Sequence, residues 1–259
     1  MFTSAAQLKG WINKKSKETG THATELQQYY FLERFLERMS LSPYRENMIL
    51  KGGFLIAAMI GVDKRSTMDI DTTMKGMRVD RMEIERVLRD IIAIDVGDGV
   101  IFEIIAIRNI HDISVYDNFR VSLLARLFTL RVSMSIDITT GDAIIPHEIE
   151  HRYKMMFEDR TISVMAYNLN TILSEKLETI LVRSVGNTRG RDFYDVFILL
   201  STNRDLLIRQ ELLHAISVKA QERGSLAAIE NHSKVLSDIA ASLDFKEKWD
   251  SYTKRYHYA

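Results

Sequence analysis

The chain of 259 residues carries 35 basic and 35 acidic side chains, so it offers no global attraction to a polyanion, and any nucleic-acid contact has to rest on a local basic cluster. Apolar residues make up 46% and charged residues 27%, the balance of a globular protein rather than a disordered or fibrous one. The absence of cysteine excludes disulfide staples, cysteine zinc sites and thiol catalysis together.

The first residues, Met1-Phe2-Thr3-Ser4-Ala5-Ala6-Gln7-Leu8-Lys9, run into mixed charge without the apolar core of a signal peptide. No uncharged run approaches the roughly 20 residues of a membrane helix, and a cytoplasmic location is the expectation by elimination. Over 25–39, Leu26, Tyr29, Tyr30, Leu32, Phe35, Leu36 and Met39 recur at spacings of three and four, which predicts an amphipathic helix that residues 40–43 break. Met48-Ile49-Leu50 leads into Lys51-Gly52-Gly53, and 54–60 reads as a short buried helix closed by Gly61. A glycine pair at a helix start leaves backbone N–H groups able to face an anion.

Apolar Met68 and Ile70 interleave with Asp69 and Asp71, so a strand here sets two carboxylates on one face. Helical spacing returns over 79–94, a turn follows at 95–99, and 100–107 is rich in strand formers. Two more strands are expected at 121–128 and 130–139. In the second of these, Val132, Met134, Ile136 and Ile138 alternate with Ser133, Ser135, Asp137 and Thr139, which leaves Asp137 as the sole acid on the polar face. A helix is expected over 170–184, a loop at 186–190, a helix over 191–200, and two or three helices over 204–259. The fold class is α/β: a small mixed sheet flanked by helices in a catalytic domain over 1–160, then a mostly helical region over 161–259. Basic clusters stand at 183–191 and near the C-terminus.

Nucleotidyl transfer needs hard divalent cations to neutralise a triphosphate and to activate the attacking hydroxyl, and carboxylates supply their ligands. Aspartates at i and i+2 on a strand lie about 6 to 7 Å apart on one face, close enough to share metals about 4 Å apart. Asp137 on a neighbouring strand completes a triad and is placed to bind metal and help take the proton from the nucleophile. Each acid alone reads first as a solvated strand residue. Their order separates the two readings: glycine pair at a helix start, D-x-D on a strand, then a lone strand aspartate.

In that order the sequence resembles the AbiEii toxins and their relatives in the polymerase-β-like nucleotidyltransferase superfamily. The matching stretch runs Ser42-Pro43-Tyr44-Arg45-Glu46-Asn47, Leu50-Lys51-Gly52-Gly53 and Arg65-Ser66-Thr67-Met68-Asp69-Ile70-Asp71. Two later segments join it: Ala166-Tyr167 with Ser174-Glu175-Lys176-Leu177-Glu178, and Asn187-Thr188-Arg189-Gly190-Arg191-Asp192-Phe193-Tyr194-Asp195. The resemblance spans about 30–200. It implies a bilobed toxin that transfers a nucleoside monophosphate from NTP, with Mg2+, to an acceptor such as the acceptor end of tRNA, and a winged-helix antitoxin encoded beside it. Lys51, Gly52 and Gly53 would cradle phosphate, with glycine at 53 where more distant relatives carry serine. Asp69, Asp71 and Asp137 would hold the metal. Lys176, Arg189 and Arg191 would stabilise charge on the transferring group, with Asp192 catalytic and Asp195 at the nucleotide. Lys176 and Arg183 share a helix face by their spacing. Asp192 and Asp195, at i and i+3, share another, from which they could orient Lys176 or Arg189 or act in catalysis.

A competing motif is His147-Glu148-Ile149-Glu150-His151, which reads H-E-x-x-H, the zinc-peptidase pattern of two histidines one helical turn apart with a glutamate as general base. Pro146 suits a helix start, and Glu175 or Glu178 could supply a third ligand. Against it, the stretch is polar, Arg152 follows at once, and no H-x-x-G-x-x-H extension is present. An exposed connection after the Asp137 strand is the preferred reading. His22, His111, His214, His232 and His257 are scattered and read as surface or packing residues. A non-catalytic nucleotide- or protein-binding relative is the third class, disfavoured by the joint presence of Asp69, Asp71, Lys176 and Asp192.

Overall fold

The computed structural model describes residues 2–65, 67–77, 79–110, 118–256 and 258–259; Met1, Ser66, His111 and His257 lie outside them. Two compact units divide the chain, residues 1–142 with 149–166 and residues 143–148 with 167–259.

In the first unit, α1 (Ala5–Thr19) is capped by the Ser4 side chain, which accepts from the Gln7 N–H, and buries Leu8 and Ile12. Those two residues make too thin an apolar stripe for periodicity to reveal the helix. Helix α2 (Ala23–Leu41) covers the predicted 25–39 and is buried all round, Glu33, Arg34, Glu37 and Arg38 included. It tolerates this because the charges are partnered. Arg38 grips both carboxylate oxygens of Asp98 at 2.8 and 2.7 Å, Arg34 reaches Glu158 at 2.7 Å, and Glu33 accepts from the Tyr153 hydroxyl and the Met156 N–H.

β1 (Met48–Lys51) runs straight into α3 (Gly52–Ile60), and β2 (Asp69–Met74) follows. Next come α4 (Arg81–Ile92), started by an Asp80 cap, then β3 (Ile101–Ile110), β4 (Asn118–Leu127) and β5 (Leu130–Thr140). β6 (Ile149–Lys154) and β7 (Thr161–Ala166) complete a seven-stranded mixed sheet, ordered β3-β4-β5-β2-β1-β7-β6. β2 pairs parallel with β5, and β1 parallel with β7; the other pairs are antiparallel. The apolar face of β4 and β5, with Val121, Leu123, Ile136 and Ile138 fully buried, forms the core with α2 and α4. Each such aliphatic side chain contributes roughly 1.5 to 3 kcal/mol by leaving water.

The connection expected at 147–151 is largely exposed, but from Ile149 it is an edge strand, and β7 carries the sheet to Ala166 before the helical region expected from 161 begins. On β6 only Tyr153 is buried, so its alternation is nearly silent in a polar edge strand.

In the second unit, α5 (Leu169–Arg183) starts at an Asn168 cap and packs against α6 (Gly190–Asn203) and α7 (Arg209–Glu222). α8 (Leu226–Glu230), α9 (His232–Ala241) and α10 (Leu243–Arg255) follow. The described residues thus hold four helices after α6 where two or three were expected. Gly224 at φ +66°, Asn231 and Ser242 divide them. Among the described residues no helix is long and apolar enough to cross a membrane.

Candidate active site

Strand register assembles the first cluster. Lys51 on β1 stands opposite Asp71 on β2, Asp71 opposite Asp137 on β5, and Asp137 opposite Arg120 on β4. Directly opposed residues point to the same side of a sheet, so these four side chains form one row across four strands. Asp69 shares the face two residues before Asp71, opposite Ser135. Ile70, Ile136 and Ile138 turn the other way and are fully buried, which holds the carboxylates to the polar side.

The glycine pair sits against this row. Gly52 has φ +68°, and a Cβ there would fall 2.0 Å from Asp71 Oδ2, so only glycine allows the carboxylate to lie against the backbone. The Gly53 N–H donates to the same oxygen at 3.4 Å. A Cβ at Gly53 would meet the Thr67 hydroxyl at 3.0 Å and the buried Arg65 guanidinium at 3.2 Å. Lys51 is buried, its ammonium 2.6 Å from both Asp142 Oδ2 and the Thr139 hydroxyl.

Asp137 is held by both of its oxygens: Arg120 Nε lies 2.7 Å from one and a terminal nitrogen 2.6 Å from the other. Asp137 keeps the Arg120 guanidinium well above its ordinary pKa, and Asp69 and Asp71 add to the effect, so all three carboxylates lie within its electrostatic reach. Among the described residues no three Asp, Glu or His side chains converge as a metal site. The oxygens of Asp69 and Asp71, on one polar face, are the hard donors that suit a magnesium ion.

The second cluster belongs to the second unit. Lys176 on α5 places Nζ 2.8 Å from Asp192 Oδ1 and 2.9 Å from Asp195 Oδ2, one turn apart on α6 and both fully buried. Arg189, just before α6, brings Nε within 3.1 Å of Asp192 Oδ2, and the buried Asn187 side chain accepts from its N–H. Two buried carboxylates therefore meet two cations. Gly190 is glycine for packing: a Cβ there would lie 2.8 Å from the ring of Tyr252 on α10. Arg183 and Arg191 are exposed.

The zinc-peptidase reading loses its geometry. His151 lies on β6, where side chains alternate at a period of two, so no helical face carries both histidines. Glu178 pairs with Arg223 at 2.8 Å, and Glu175 lies 3.5 Å from both Lys219 and Arg223. The sequence did not single out Arg120 and Asp142, and it gave Thr139 and Arg65 no role of their own. The expected strand began at 121, one residue too late to set Arg120 beside Asp137.

No curated protein matches the chain. Among solved structures it is similar to a candidate nucleotidyltransferase from H. pylori, at 14% identity and a TM-score of 0.50, with 88% of each chain covered. It is also similar to JHP933 from Helicobacter pylori, at 14% identity and a TM-score of 0.49, covering 90% of this chain and 95% of that one. The first of these likenesses is one of fold alone. The profile of the nucleotidyl transferase AbiEii toxins of type IV toxin-antitoxin systems matches residues 34–259, a span that takes in both clusters. The chain belongs to the AbiEii nucleotidyl transferase toxin family.

Proposed function

We propose that the protein transfers a nucleoside monophosphate from an NTP to RNA, with the acceptor end of tRNA as the target, in a reaction that needs Mg2+. The observation that carries this reading is the row of Lys51, Asp71 and Asp137 beside the Gly52-Gly53 helix start. Cation, carboxylates and backbone N–H groups are the parts that nucleotidyl transfer uses.

Asp69 and Asp71 are the proposed magnesium ligands, and the ion, when bound, would neutralise triphosphate charge and lower the pKa of the attacking hydroxyl. The acceptor oxygen forms a bond to the α-phosphorus, the bond from that phosphorus to the bridging oxygen breaks, and pyrophosphate leaves. The hydroxyl proton goes to Asp137, whose oxygens must first be freed from Arg120; Asp137 is the proposed base and would be the third ligand of the ion. Lys51 and the N–H groups of Gly52 and Gly53 receive phosphate. In the second unit, Lys176, Arg189 and Arg191 are assigned to phosphate charge, with Asp192 and Asp195 fixing the lysine. Membership of a type IV toxin-antitoxin family brings an antitoxin partner, for which the winged-helix type is proposed.

The test is incubation with each α-labelled NTP, Mg2+ and total cellular RNA, alongside Asp69→Ala. Label on tRNA-sized RNA with wild type alone supports the reading and names the nucleotide. Equal labelling by Asp69→Ala would sink the metal assignment, and no label on any RNA would sink the acceptor.

A further inference from the structure

The face that carries Asp69, Asp71 and Asp137 continues outward over β5, β4 and β3. On β4, Phe119, Val121, Leu123, Ala125 and Leu127 are buried, while Arg120 and Arg126 turn to the opposite, exposed side. Across this open side the register sets like charges directly opposite one another twice: Arg108 against Arg120 and Arg126 against Arg131. Opposed like charges destabilise a sheet. The two pairs stand six residues apart along β4, about 20 Å by strand rise.

On β3, β4 and β5 the face sets two acids, Glu103 and Asp137, against four arginines. Glu103 pairs with Arg126 at 2.6 Å and Asp137 with Arg120, whereas Arg108 and Arg131, both exposed, have no partner among the described residues. In a chain of zero net charge this is a local concentration of guanidinium groups that lowers its energy by meeting anions.

We propose that the open β3–β5 face is the track on which the phosphate backbone of the acceptor RNA docks on its way to the Asp69, Asp71 and Asp137 row, an inference that rests on the reading of RNA as acceptor. Arginine forks match phosphate oxygens, and contacts of this kind position a nucleic acid without reading its sequence. A protein partner fits less well, because covering two opposed guanidinium pairs with protein desolvates them unless a carboxylate meets each one, whereas a phosphate backbone brings an anion at every nucleotide. The exposed Ile101 and Ile105 are the features such a partner would use, which makes protein binding the opposing outcome.

The experiment compares full-length wild type, Asp69→Ala and the double variant Arg108→Gln/Arg131→Gln for binding of labelled total tRNA over a range of salt, and for transfer to it. Asp69→Ala is expected to bind tRNA. The double variant is expected to bind about tenfold or more weakly, with a salt slope shallower by about 1.4 to 1.8 for two lost phosphate contacts. Its kcat at saturating tRNA and its KM for NTP are expected to hold, and its melting temperature to stay or rise, because both opposed like-charge pairs are relieved. A structural role would lower stability instead. If the double variant fails to fold, Arg131→Gln against the charge-retaining Arg131→Lys decides the same point.

Wild-type affinity and slope in the double variant, with transfer to tRNA intact, would overturn the docking face and leave the functional reading standing. Failure of the wild type to bind or label any RNA would overturn both.

Discussion

Arg120 closes on Asp137 with two nitrogens, one to each carboxylate oxygen, so the strand acid nearest the D-x-D pair is neutralised before any nucleotide arrives. An anion already paired to a guanidinium is a weaker metal ligand, since the cation must first displace the arginine. Arg120→Gln is therefore expected to lower, several-fold, the Mg2+ concentration that gives half-maximal transfer, and to enlarge the rise in melting temperature that Mg2+ with NTP produces. Asp137→Asn is expected to raise the same midpoint. An unmoved Mg2+ midpoint in both variants would remove Asp137 from the metal shell.

Gly52→Ala tests the close approach of backbone and carboxylate. The added methyl group meets the Asp71 carboxylate at a positive φ, so either the strand shifts or Asp71 turns away. A loss of about 1 to 3 kcal/mol in urea unfolding is expected, with transfer activity falling at least a hundredfold. Gly53→Ser is expected to fold and keep most activity, because its neighbours there are the ends of the Thr67 and Arg65 side chains. Equal activity in both variants would show that Asp71 need not lie against Gly52.

Lys176→Met removes the cation that the two buried carboxylates share and leaves Arg189 beside Asp192. Removing one partner from a buried ion cluster costs about 3 to 5 kcal/mol. Lys176→Arg, which keeps the charge, should retain most of the stability. A double-mutant cycle of Lys176→Ala with Asp192→Ala is expected to show strong coupling in chemical unfolding, and additive effects would mean that the pair is not an energetic unit.

His151 gives the protein a pH-dependent weakness. Burial lowers its pKa below the ordinary 6.5, and its Nε2 has no hydrogen-bond partner among the described residues. Above pH 6.5 both folded and unfolded chains keep it neutral. As the pH falls below 6.5 the unfolded chain takes up a proton that the folded chain refuses until its own lower pKa is passed, so stability drops across that window. Glu33 acts with the opposite sign: burial raises its pKa, so its contribution is full below pH 4.5 and is lost as pH rises through the raised value. Melting temperatures of wild type and His151→Asn from pH 8 to pH 5 isolate the histidine. The difference between them should move in favour of the variant as the pH falls, and parallel curves would refute the assignment.

Much of the candidate site's face was legible from alternation alone. Strict period two over 130–139 placed Asp137 on the polar side of its strand, and D-x-D placed Asp69 and Asp71 on one side of theirs. Both are local patterns, which survive without knowledge of the fold. The pairing of Asp137 with Arg120 was not legible, because it depends on the register between two strands and on a strand start three residues earlier than apolar content suggested. The Lys51 contact with Asp142 depends on a loop after β5 that no periodicity describes. The β6–β7 hairpin hid in a polar edge, and the charges of α2 hid its full burial because their partners come from 60 to 124 residues away.

Those partners decide more than the depth of α2. Arg38 is bolted to Asp98, just ahead of β3 at one margin of the sheet, and Arg34 and Glu33 to the β6–β7 hairpin at the other. Apolar packing resists a shift of the helix through shape alone, and a forked ion pair adds a directional constraint that is met at a single setting. The helix therefore acts as a ruler spanning the sheet, and its two margins should be lost together in one unfolding transition. Amide exchange in β3 and β6 is expected to proceed through a common opening in the wild type, and through separate openings once Arg38→Met and Asp98→Leu replace the forked pair with an apolar one.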